Sequence, residues 1–161
     1  MLENEARVNL FLTQYCKMLV GDIADERMAE QPLPGVNHPA WILGHLAATA
    51  DFASTLLGGE KTLPPQWVPL FQPGSKPTAC RSDYPPKDEL QRAFEQSFQQ
   101  LRQKASAAST EQLSRPNTSA RAKEALPTAK EMVAFLLTGH AGIHLGQLSM
   151  WRRLIGIAPL F

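Results

Sequence analysis

Apolar positions recur at intervals of three and four along most of this chain, the spacing that gathers them on one face of an α-helix. Alternating β-branched runs and Asn-Gly hairpin signals are missing, so strands are not expected. A first helix is predicted over roughly residues 3–28. Its stripe is Val8, Phe11, Leu12, Tyr15, Leu19 and Ile23, and Pro32 and Pro34 end it. A second helix opens at Asn37-His38-Pro39, with Asn37 or His38 as cap and Pro39 in the first turn, where its missing N–H costs nothing. Its stripe is Trp41, Ile42, His45, Leu46, Thr49, Phe52 and Leu56, and it stops at Gly58-Gly59.

A third helix starts near Pro86, with Asp88 and Glu89 placed where the helix dipole favours anions. It carries Leu90, Phe94, Phe98 (or Ser97), Leu101 and Ala105. Ser109 to Leu113 reads as a short capped turn, and residues 115–127 as a loop. The fourth helix has a capping box, Thr128 with Glu131, and the stripe Val133, Leu136, Leu137, His140, His144, Leu148 and Trp151; Gly156 and Pro159 end it. Residues 60–85 are proline-rich, and their length is of the kind often tied to function. Trp67, Leu70 and Phe71 should pack this connection onto the helices. The expected fold is all-α: one domain over residues 1–161, a four-helix bundle with a long crossover between the second and third helices.

Composition narrows the function classes. The formal net charge is +1, which gives no basic surface for nucleic acid. No apolar run reaches the ~18 residues that span a bilayer, and the first residues carry no basic-then-apolar leader, so no membrane partner is expected. Cys16 and Cys80 make neither a disulfide scaffold nor a zinc ribbon, which favours a reducing, cytoplasmic location.

The candidate chemistry lies in the histidines. Of four, three fall on apolar helical faces. His140 and His144 are spaced so that a helix sets their β-carbons about 5–6 Å apart, close enough to grip one metal ion. His45, from another helix, would complete a three-ligand set that leaves one coordination position open. A lone histidine on an apolar face is more often a hydrogen-bonded core residue, but three together need partners that the interior of a bundle rarely supplies. His38 precedes His45 by a rise of about 10.5 Å, so it cannot share the ion and belongs to the helix start or the pocket rim. A zincin helix is excluded because Ala141 stands where that motif needs glutamate. An acid or base must come from elsewhere; Asp51 is a candidate, though a solvated surface carboxylate there needs no special explanation. Gln147, one turn past His144, could orient a ligand. Arg152 either complements the end of the fourth helix or clamps a substrate carboxylate. Gly44, Gly139, Gly142 and Gly146 surround the histidines, marking a close helix neighbour or room for a metal-bound ligand.

The segments Trp41-Ile42-Leu43-Gly44-His45-Leu46 and His140-Ala141-Gly142-Ile143-His144-Leu145-Gly146-Gln147-Leu148, with the ending Arg152-Arg153-Leu154-Ile155-Gly156 and Pro159, resemble the DinB-like superfamily of metalloenzymes over almost the whole chain. The resemblance implies a four-helix bundle in up-down-down-up order, often dimeric, with a divalent metal, usually zinc or nickel, on His45, His140 and His144. Relatives of that kind include bacillithiol S-transferases and mycothiol-dependent maleylpyruvate isomerase, in which the metal is thought to favour the thiolate of a low-molecular-weight thiol. The expectation is therefore a metal-dependent enzyme that activates a thiol against a small electrophile. Hydrolysis by metal-bound hydroxide and a non-catalytic, metal-stabilised homodimer stay open beside it. The apolar tail Ile157, Leu160 and Phe161 could be a dimer contact or a cover for the bundle end.

Overall fold

The computed structural model describes residues 1–160; Phe161, part of the expected apolar tail, lies outside them. Among the described residues the secondary structure is helical, apart from one isolated bridge between Pro116 and Thr128. The helices are α1 (Glu3–Gly21), α2 (Pro39–Leu56), the short α3 (Val68–Phe71), α4 (Lys87–Ala107), the short α5 (Thr110–Ser114), α6 (Ala129–Phe135) and α7 (Ala141–Leu154). A π-helical turn, Leu136–His140, joins α6 to α7. No helix is long and apolar enough to cross a membrane.

The principal contacts run from α1 to α4, α4 to α2, α2 to α6 and α7, and α7 back to α1. α1 and α2 therefore face each other across the bundle, and the third and fourth long helices occupy the remaining corners. α2 is the central element: every residue from Pro39 to Ala47 is buried. It begins where the sequence places it, with His38 as N-cap accepting from the Trp41 N–H at 3.2 Å. The α4 stripe is also as expected, with Leu90, Phe94, Ser97, Phe98, Leu101 and Ala105 all buried. Both capping boxes form, Ser109 with Gln112 and Thr128 with Glu131.

The first helix departs from expectation in length and in face. It ends at Gly21 rather than near residue 28, and Asp25–Arg27 form a separate 3-10 turn. Side chains from other elements take the carbonyls at its end: Arg152 binds the Leu19 oxygen at 2.7 Å and Lys87 the Gly21 oxygen at 3.1 Å. Val8 and Phe11, assigned to the buried stripe, are 48% and 62% exposed. The buried face is Ala6, Asn9, Thr13, Cys16, Leu19 and Val20. Leu19 and Ile23 of the predicted stripe are buried and Leu12 and Tyr15 pack partly on the core, so hydropathy missed only the rotation toward the small and polar residues Ala6, Asn9, Thr13 and Cys16.

The connection over residues 60–85 does pack on the bundle, as Trp67, Leu70 and Phe71 predict; Trp67 and Phe71 are buried and Leu70 partly so. Gly44 lets it approach. A Cβ at that position would lie 2.3 Å from the Phe71 ring, so the aromatic ring rests directly on the α2 backbone.

Candidate metal centre

The π turn fixes the orientation of the last long helix. The buried residues before it are Ala129, Met132, Val133, Leu136 and Leu137. Continued at α-helical spacing, that face would pass through His140, Ile143, His144, Gln147, Met150, Trp151 and Leu154. A π turn inserts one residue's worth of rotation, about 100°. The buried face of α7 is accordingly Ala141, His144, Leu145, Leu148, Trp151 and Arg152. Ile143, Met150 and Leu154 are left exposed. The turn thus brings Leu145, Leu148 and Arg152 inward and keeps His144 on the buried face, while His140, at its end, stays half-buried beside it.

The three histidines converge. Ring centroids are 5.2 Å apart for His45 and His140, 4.8 Å for His45 and His144, and 4.6 Å for His140 and His144. One nitrogen from each ring lies within 4.8 Å of the others, and no other His, Cys, Asp or Glu joins the group among the described residues. The Nε2 atoms of His45 and His140 are 3.3 Å apart. Two nitrogens bound tetrahedrally at about 2.0–2.1 Å from one zinc ion sit about 3.3–3.4 Å from each other, so this pair already has a ligand spacing.

Second partners leave the inward nitrogens of two rings free. His45 Nδ1–H donates to the Phe71 carbonyl at 2.7 Å. Phe71 is the last residue of α3, where a carbonyl has no donor within its own helix. Trp41, one turn earlier on α2, stacks on His45 with centroids 4.5 Å apart and planes 10° from parallel. The Trp41 indole N–H is itself held by the Ser75 hydroxyl. His144 Nδ1–H donates to Gln147 Oε1 at 2.9 Å, and that oxygen also accepts from Asn37 Nδ2 at 3.0 Å. With Nδ1 protonated on both rings, Nε2 of each keeps its lone pair. His140 Nδ1 is buried without a hydrogen-bond partner.

Burial keeps all three rings neutral near pH 7, which leaves their lone pairs available to a cation. It lowers His45, against a smaller pull from the Phe71 carbonyl. It takes His140 down to about 3, helped by the neighbouring His144 and His45. His144 is lowered to about 4, by burial and by His45. A cluster of neutral imidazoles whose nitrogens converge, one of them bearing an orphaned buried atom, is a donor set that fits a divalent cation.

The other residues singled out in the sequence are placed as follows. Gln147 touches His144, as described. His38 is the α2 cap, and its Nε2–H donates to the Thr78 carbonyl at 2.9 Å, which ties the long connection to the start of the helix. Asp51 is buried rather than a solvated surface carboxylate; it accepts from the Thr62 N–H and hydroxyl at 2.9 and 2.8 Å and anchors the start of the same connection. Arg152 is 2% exposed. Its Nη atoms are taken by the Asp22 carboxylate and by the carbonyls of Leu19 and Ala158, so it locks the end of α7 to the end of α1; Nε has no partner but is buried, out of reach of a substrate carboxylate. Gly44 answers to the Phe71 ring, whereas a Cβ at Gly142 or Gly146 would meet nothing within 4 Å. Sequence reasoning missed the Phe71 carbonyl, the stacking of Trp41 on His45, the π turn and the hydrogen bond from Asn37, named only as a possible cap, to Gln147. Hydropathy carried no signal for the turn, because one helical stripe from Val133 to Trp151 runs through it; only the burial of Ala141, Leu145 and Arg152 reveals it.

Fold and site together define an all-helical protein with a three-imidazole centre shared by two neighbouring helices. A family model for the DinB superfamily matches residues 13–148, and the chain belongs to that superfamily. No curated protein and no solved structure matches it.

Proposed function

We propose that the chain is a metal-dependent enzyme in which His45, His140 and His144 hold one divalent ion, zinc or nickel, and a low-molecular-weight thiol is activated there for attack on a small electrophile. The observation that carries the reading is the convergence of three neutral imidazoles, two of them with Nδ1 already committed to Phe71 O and Gln147 Oε1. An ion so held would act as a Lewis acid with an open position, lowering the pKa of a bound thiol. Structural zinc sites are closed by four protein ligands. The group of three found here supports a site that admits a ligand rather than one that only braces the fold.

The protein's own part is orientation and shielding. Phe71, Gln147 and Asn37 fix two ring tautomers, and Trp41 covers one face of His45. Hydrolysis is less well supported: the one acid weighed as a base, Asp51, is spent on Thr62. The small-molecule substrate, the homodimer and the cytoplasmic location expected from the sequence and the resemblance belong to the same proposal.

The test is thermal-shift screening of the zinc- or nickel-loaded protein against low-molecular-weight thiols. Stabilisation by a thiol that is lost in His45→Ala and His144→Ala is the expected outcome. A metal-loaded protein that responds to no thiol would contradict the thiol reading and leave the metal site standing.

A further inference from the structure

A π turn leaves one helical carbonyl without its partner, because the hydrogen-bond ladder skips a residue. An uninterrupted α-helix would give the Ala141 N–H to the Leu137 carbonyl; here Ala141 donates to the Thr138 oxygen. The Leu137 oxygen instead accepts from Asn9 Nδ2 of α1 at 2.7 Å. Asn9 is fully buried, on the inner face of α1 and outside its apolar stripe. Its amide can be oriented only one way. Arg102 of α4 donates to Asn9 Oδ1 at 2.7 Å, a guanidinium cannot accept, and a carbonyl cannot donate. The Arg102–Asn9–Leu137 relay therefore reaches from α4 through α1 to the turn that ends at His140 and sets the rotation of the helix carrying His144.

We propose that Asn9 is a positioning residue for the histidine centre: by occupying the Leu137 carbonyl it holds the π turn that brings His140 and His144 to face His45. This rests on the metal reading above. The sequence shows the same dependence. Without the extra residue of rotation, the inward face of α7 would centre on Ile143, Gln147 and Met150, and His140 and His144 would approach His45 from a different angle. A buried asparagine at an apolar helical position costs stability unless its amide is fully bonded. This one is bonded on both sides, to the element that the site requires.

The experiment compares wild type, Asn9→Leu and Arg102→Met with a control, Leu113→Ala in α5, that lowers the melting temperature outside the relay. Each is titrated with Co²⁺, whose visible absorption reports coordination geometry. The metal-free proteins are compared by amide hydrogen exchange over residues 136–142. Asn9→Leu is expected to weaken Co²⁺ binding by roughly tenfold or more, the size seen when a residue behind a metal ligand is removed. It should also alter the absorption spectrum and speed exchange in that segment selectively. Arg102→Met should move all three readouts in the same direction by less, and it serves as the test if Asn9→Leu does not fold. The control should lose thermal stability and keep both metal binding and local exchange. Unchanged Co²⁺ affinity, spectrum and local exchange in a folded Asn9→Leu would overturn the proposal. If the wild type binds no Co²⁺ yet Asn9→Leu speeds exchange at 136–142, the metal reading falls while the hold of Asn9 on the turn is supported.

Discussion

A single oxygen, Oε1 of Gln147, decides which nitrogen of His144 faces the centre. Asn37 donates to the same oxygen, so the amide has no reason to flip. Gln147→Leu should therefore leave the fold intact, because Gln147 is exposed, and weaken zinc binding by about tenfold in a chelator competition. His38 carries a different prediction, about acid. Burial, against pulls from the carbonyls of Thr78 and Met28, and with Arg81 adding repulsion, lowers it from 6.5 to about 4 in the folded chain. The Tyr84 ring edge packs on the same imidazole. The unfolded chain takes up the proton first, so the stability from neutral His38 is whole above pH 6.5 and drains as pH falls through 4. His38→Asn retains a capping oxygen. Its melting temperature should decline less steeply than that of wild type between these limits; an identical slope would refute the assignment.

At this scale the three histidines of the centre were legible because histidine is rare here and each sits at an apolar helical position. Their supports were not. Phe71 O, Asn37 Nδ2 and Asn9 Nδ2 reach partners 26, 110 and 128 positions away, and a backbone carbonyl leaves no mark in the residue type that bears it.

Among elements, the boundaries of α2 and α4 and both capping boxes could be read directly, since caps and stripes are local. α1 could be read only in part: Leu19 is buried and Leu12 and Tyr15 pack on the core, but Asn9, Thr13 and Cys16 turn inward where Val8 and Phe11 were expected. The π turn was hidden because His140, His144, Leu148 and Trp151 also lie on one face of an ideal helix, so an uninterrupted helix explained the histidines well enough. α3 shows how a connection can serve a site. Its terminal carbonyl fixes His45 only because Gly44 allows the Phe71 ring to lie on α2. Gly44→Ala should push that ring away. The expected result is a loss of about 1–3 kcal/mol in denaturant unfolding, the range for overpacking a core, together with weaker metal binding. A loss of stability with unchanged metal affinity would separate α3 from the centre.

For the whole molecule, the centre joins α2 to the α6–α7 helix on adjacent corners of the bundle, and Arg152 with Asp22 fastens the far end of α7 to α1. An ion on the three histidines would bind the folded state alone. At one hundred times its dissociation constant it would add about 2.7 kcal/mol to stability, so chelation should lower the melting temperature. The bundle class follows from helix count and loop length, which the sequence displays. The arrangement that sets α1 opposite α2 follows from contacts that it does not. The most direct measurement is elemental analysis of purified wild type beside His45→Ala and His144→Ala. The account predicts about one divalent ion per chain in wild type, the number a single three-histidine site can hold, and near-complete loss in both variants. Equal metal content in all three proteins, or none in wild type after zinc or nickel loading, would contradict it.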